Sequence, residues 1–99
     1  MLQEEREALA PYFTLVRDFV GGRIAAAEFD DRYQELYLAD ARSWSEDTFQ
    51  ILDRLFADVD FFVADDAERE PGKHDLDASG LKEAAQRALD GLTALTRAG

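Results

Sequence analysis

Residues 9–22, LAPYFTLVRDFVGG, decide the fold class. Leu9, Tyr12, Phe13, Val16, Phe19 and Val20 recur at i, i+3, i+4, i+7, i+10 and i+11, the spacing of one face of an α-helix. Pro11 suits the first turn, where a missing N–H costs no hydrogen bond. Gly21-Gly22 ends the segment, because glycine enters the left-handed conformation of a helix C-terminus without a Cβ clash. Residues 2–8 add a turn ahead of it, kinked or separate.

The same period recurs outward from this stretch. A second helix is predicted from Ala25 to Ala39, with Ile24, Phe29, Tyr33, Leu36 and Tyr37 on its buried side and Asp30, Asp31, Gln34 and Glu35 facing water. Ser43-Trp44-Ser45-Glu46 has the spacing of a capping box and opens a third helix. Its apolar stripe comprises Phe49, Leu52, Leu55, Phe56, Val59 and Phe62/Val63. The pattern stops between Ala64 and Asp75, where Pro71-Gly72 marks a loop. Asp77 caps a fourth helix, Leu76 and Leu81 are placed to staple its start, and Leu81, Ala84, Ala85, Ala88, Leu92 and Leu95 form its core face. Gly91 within it costs ~1 kcal/mol relative to alanine. No segment alternates like a strand. The expected architecture is all-α, an antiparallel four-helix bundle formed by residues 1–99 as a single domain.

Composition narrows the chemistry. The 99 residues include no cysteine, which excludes disulfides and thiolate catalysis and fits a reducing compartment. The charged start from Met1 to Arg6 does not read as a signal peptide, and no apolar run nears the ~20 residues of a membrane helix. A cytoplasmic location is expected. Acids outnumber bases 22 to 11, a net charge of −11. Such a surface repels nucleic acid and anionic lipid and attracts basic proteins, so neither direct nucleic-acid binding nor membrane binding is expected.

The acidity is concentrated. Asp58, Asp60, Asp65, Asp66, Glu68, Glu70, Asp75 and Asp77 face only Arg69 and Lys73 within residues 58–77, a net −6 out of the total −11. Carboxylates spaced along a chain can imitate the phosphates of a nucleic-acid strand; a plain solvated loop has the same composition. A calcium loop starting at Asp66 fails at its turn, because Pro71 stands where glycine is required and Asp77 replaces the bidentate glutamate. His74 is the only histidine and has no second ligand or base partner in sequence. No metal or cofactor is expected, and no enzymatic activity. Phe61 has two readings. A helix that continues through it places the ring outward among Asp58, Asp60 and Asp65, whereas a helix that ends earlier lets it turn back into the core.

Several short pieces, in order, resemble the immunity proteins of the colicin D type. Phe19 precedes Arg23-Ile24 and then Glu28-Phe29-Asp30-Asp31-Arg32, similar to the family's basic–Ile turn and Glu-Phe-x-x-Arg helix. Leu55-Phe56 leads into the acidic stretch, and Asp77-Ala78-Ser79-Gly80-Leu81-Lys82 is similar to the family's entry to the last helix. The resemblance runs from Val16 to Leu92, with a longer acidic loop here that carries Pro71-Gly72. It implies a small helical bundle that neutralises a tRNA-cleaving toxin by presenting acids to its basic cleft. The implied partner is a cognate basic ribonuclease toxin domain in a 1:1 complex, bound through Asp58, Asp60, Phe61, Asp65, Asp66, Glu68, Glu70, Asp75 and Asp77. Phe61, Trp44 and Tyr37 are candidate apolar anchors. The alternative reading is an acidic helical adaptor, or a weak homodimer, that uses an apolar bundle face.

Overall fold

A computed structural model of the chain describes residues 3–40, 43–62 and 77–98. Among these the fold is all-α, with five helices: α1 (Gln3–Ala8), α2 (Ala10–Val20), α3 (Ala26–Ala39), α4 (Glu46–Asp60) and α5 (Ala78–Ala98). The first is the extra N-terminal turn, separated from α2 at Leu9. Pro11 explains the break, since it has no N–H to carry the hydrogen-bond ladder across the junction.

Four longer helices close a ring: α2 packs on α3, α3 on α4, α4 on α5, and α5 returns to α2. Residue pairings show the directions. Phe19 stacks on Phe29 with ring centroids 4.4 Å apart, whereas Tyr12, two turns earlier in α2, meets Tyr33, one turn later in α3. Asp30 feels the charge of Asp60, and Tyr37 stacks on Phe56. Along the last seam Ile51 faces Gly91, while Leu55 and Asp58 share a small cavity with Ala84 and Ala88. Each pairing descends one helix as it climbs the next, which fits an antiparallel four-helix bundle.

The core is contributed by every helix of the ring. Leu9, Tyr12, Val16, Phe19, Phe29, Tyr33, Leu52, Leu55, Val59, Leu81, Ala85 and Leu92 are buried. Tyr33 is fully buried, and its hydroxyl donates to the Leu52 carbonyl oxygen at 2.7 Å. That bond satisfies the phenol inside the core, where an unpaired hydroxyl would be costly.

Local signals explain most helix ends. Gly22 has φ +79°, with its N–H donating to the Phe19 carbonyl and the Arg23 N–H to the Asp18 carbonyl. These are the paired bonds of a Schellman turn. Asp77 Oδ1 accepts from the Gly80 N–H at 2.7 Å, as an N-cap side chain should. Leu76 lies outside the described residues.

Three expectations need correction. The third-helix cap is Ser45, not Ser43, and the partner carboxylate is not Glu46. Instead Glu5 of α1 accepts from the Ser45 N–H at 2.8 Å and from Ser45 Oγ at 2.9 Å. A glutamate forty residues upstream thus does what the third residue of a capping box would do. Phe49 is not in the core; it is 47% exposed, and buried Thr48 takes the inward position ahead of Leu52, Leu55 and Val59. Asp30 and Gln34 do not face water fully either. Both are half-buried and bonded to each other, Gln34 Nε2 donating to Asp30 Oδ1.

Candidate functional site

Of the nine residues expected to meet a partner, Asp65, Asp66, Glu68, Glu70 and Asp75 lie outside the described residues, as do His74 and the loop weighed for calcium. Asp58, Asp60, Phe61 and Asp77 are described, and they do not form one cluster. Asp58 is half-buried toward α5, beside a cavity of about 90 Å³ shared with Arg54 and Arg87. Asp60 is exposed on the α3 side. Asp77 is occupied with capping α5. The helix does end at Asp60, yet it is Phe62 that packs on the core. Phe61 donates its N–H to the carbonyls of Ala57 and Asp58 and keeps its side chain 43% exposed.

The other two anchor candidates are engaged within the fold. Trp44 packs edge-on against Tyr12 and donates its Nε1 proton to Asp40 Oδ2 at 3.1 Å. The Tyr12 hydroxyl donates to the same oxygen at 2.7 Å. Tyr37 donates to Asp53 Oδ1 at 2.8 Å and stacks on Phe56 with centroids 4.5 Å apart. Partial burial, and then the bond to Asp53, push the Tyr37 phenol up to about 12.

Tyr37 and Phe56 mark a surface that periodicity alone does not reveal. Phe49, Asp53, Phe56 and Asp60 follow i, i+4, i+7 and i+11, so they form one stripe of α4. The Tyr37–Asp53 bond and the Asp30–Asp60 interaction lay that stripe along α3. Asp30, Gln34 and Tyr37 flank it on the α3 side, with exposed Asp31 and Leu38 one step further out on α3. Burial, more than the neighbouring Asp31 and Asp60 charges, raises the Asp30 carboxyl above the usual carboxylate range, against the lowering effect of Gln34. The basic residues of these two helices point elsewhere. Arg32 pairs with Glu28 at 3.0 Å and lines the α2–α3 groove, while Arg54 faces α5. The α3–α4 seam is therefore acidic and aromatic. Its signal was present in the sequence as the Phe49-Asp53-Phe56-Asp60 stripe, but assigning Phe49 to the core concealed it.

Among the described residues no three acids or histidines come together to hold a metal ion, and no helix is long and apolar enough to cross a membrane. Open grooves lie between α2 and α3 around Pro11 and Leu36, one of them also lined by Glu7 and Ala8 of α1.

Residues 8–92 match the family described as bacterial self-protective colicin-like immunity. No curated protein matches the chain.

Proposed function

The chain belongs to the bacterial self-protective colicin-like immunity family, and on that premise we propose that it binds a cognate ribonuclease toxin domain 1:1 and occludes its basic active-site cleft. Membership implies an inhibitor of a colicin-like toxin, in place of a catalyst. The ribonuclease target is the finer step, and one observation carries it: the net −6 concentrated in residues 58–77. A nuclease cleft must be basic to hold a polyanion. The same field draws in an acidic inhibitor quickly and rewards carboxylates set where phosphates would lie. Asp60 and Phe61 stand early in this stretch, at the C-terminal end of α4, and side chains held by a helix lose less entropy on binding than those of a free tail.

The test pairs cellular protection with kinetics. The chain, co-expressed with its cognate ribonuclease toxin domain, should rescue growth and stop RNA cleavage at one equivalent. Association should slow steeply as salt shortens the screening length below ~10 Å. Reversing Asp65 and Asp66 to lysine should abolish rescue while the fold survives. Reversing Glu83 and Asp90, exposed on α5, should not. Rescue that ignores salt and survives the loop reversal would favour the apolar adaptor reading.

A further inference from the structure

We propose that the α3–α4 seam is a second part of the docking surface, an apolar floor of Tyr37, Phe56 and exposed Phe49 rimmed by Asp30, Asp53 and Asp60, seated against a basic apolar-edged patch of the same toxin domain. The inference rests on the immunity reading above and adds to it a surface outside residues 58–77, apart from Asp60.

Three observations support it. Leu38, Phe49 and Phe61 are the large apolar residues left exposed among the described residues, at 70%, 47% and 43%. Phe49 belongs to the seam through its stripe with Asp53, Phe56 and Asp60. Leu38 follows Tyr37 and lies one turn beyond Gln34, which bonds Asp30. Aromatic side chains are enriched as interface anchors, and a polar rim around them is the usual anatomy of such a patch. The occupant's sign is fixed by the rim. Asp30, Asp53 and Asp60 line the seam, and the bases of α3 and α4 are turned to other faces. A second copy of this chain would bring acids against acids, whereas a basic domain relieves the repulsion that Asp30 already feels from Asp31 and Asp60.

The probe is the cognate ribonuclease toxin domain, inactivated so that it can be produced alone, with binding followed by stopped flow and surface kinetics. Asp30→Asn/Asp53→Asn keeps side-chain size and acceptors for Gln34 and Tyr37. It should slow association about tenfold at low salt. Phe49→Ser should speed dissociation about tenfold with little change in association. Glu83→Gln/Asp90→Asn, the same charge change on α5, should stay within about twofold. Circular dichroism on each variant checks the fold. Seam variants that bind like the parent chain, while Asp65→Lys/Asp66→Lys does not, would overturn the seam and leave the immunity reading standing. A parent chain that does not bind would overturn the immunity reading itself. A concentration-dependent dimer lost in Phe49→Ser, with toxin binding intact, would make the face a self-interface and also overturn the proposal.

Discussion

Glu5 in α1 reaches the start of α4, where one carboxylate oxygen accepts from both the Ser45 N–H and the Ser45 hydroxyl, at 2.8 and 2.9 Å. Ser45 Oγ also lies 3.1 Å from Oγ1 of buried Thr48. The first turn of α4 is therefore closed from outside its own helix, and a carboxylate there also complements the positive helix end.

This relationship predicts coupled losses. Ser45→Ala and Glu5→Ala should each cost about 1 kcal/mol, in the range of an N-cap deletion. The double variant should cost less than the two together by about 0.5 kcal/mol or more. The Ser45 hydroxyl bond to Glu5 is lost in both single variants and can be lost only once, whereas the Ser45 N–H bond is lost with Glu5 alone. Urea unfolding of the four proteins measures this. Losses that simply add would mean that the two residues act independently.

Gly91 is the second case, and here two effects oppose each other. Alanine would gain ~1 kcal/mol of helix propensity. A Cβ at that position, however, would sit 3.0 Å from Ile51 Cδ1. The contact is with the flexible end of a side chain, so Gly91→Ala alone should change stability little. Ile51→Val removes the offending methyl, and in that background Gly91→Ala should stabilise by about 1 kcal/mol. Thermal unfolding of the pair decides it. A destabilised double variant would show that α4 and α5 cannot accommodate the methyl group at all.

The tyrosines give a pH prediction. All three in the chain, Tyr12, Tyr33 and Tyr37, have their phenols raised, first by burial and then by neighbouring acceptors and charges. A phenol that ionises at higher pH when folded contributes stability that is intact below the unfolded value of ~10 and lost as pH rises through the folded value. For Tyr37 that window runs from ~10 to about 12; for Tyr12 and Tyr33 it extends further. Phenolate absorbance and loss of helical dichroism should thus rise together in alkali. A phenolate signal that titrates near ~10 with the helices intact would contradict the Tyr33–Leu52 and Tyr12–Asp40 bonds.

The readable and unreadable parts of this protein divide by distance along the chain. Signals within one or two turns came through: the apolar period of α2 and α5, the Gly21-Gly22 stop and the Asp77 cap. The Ser45 cap did not, because its acceptor lies in α1 and no local spacing points to it. Phe49 was misplaced because period alone does not fix which edge of a wide apolar stripe turns inward; packing of Thr48 and Leu52 settled that. For the candidate site, sequence located the excess of acid but not its facing. Asp58 and Asp60 are two residues apart, yet one turns toward α5 and the other toward α3. Asp30, far from both in sequence, is the acid that Asp60 meets.

The contact between Arg6 and the end of α5, Nη2 donating to the Thr96 carbonyl at 2.9 Å, brings residues 3 and 98 to the same end of the ring. Helix order is then a matter of connectivity more than of packing. A circular permutant, with a short polar linker from α5 back to α1 and new ends opened at Gly21-Gly22, would keep the packing of every helix pair and give up the bonds of that one turn. It would also tether both ends of α1, whose Glu5 closes α4.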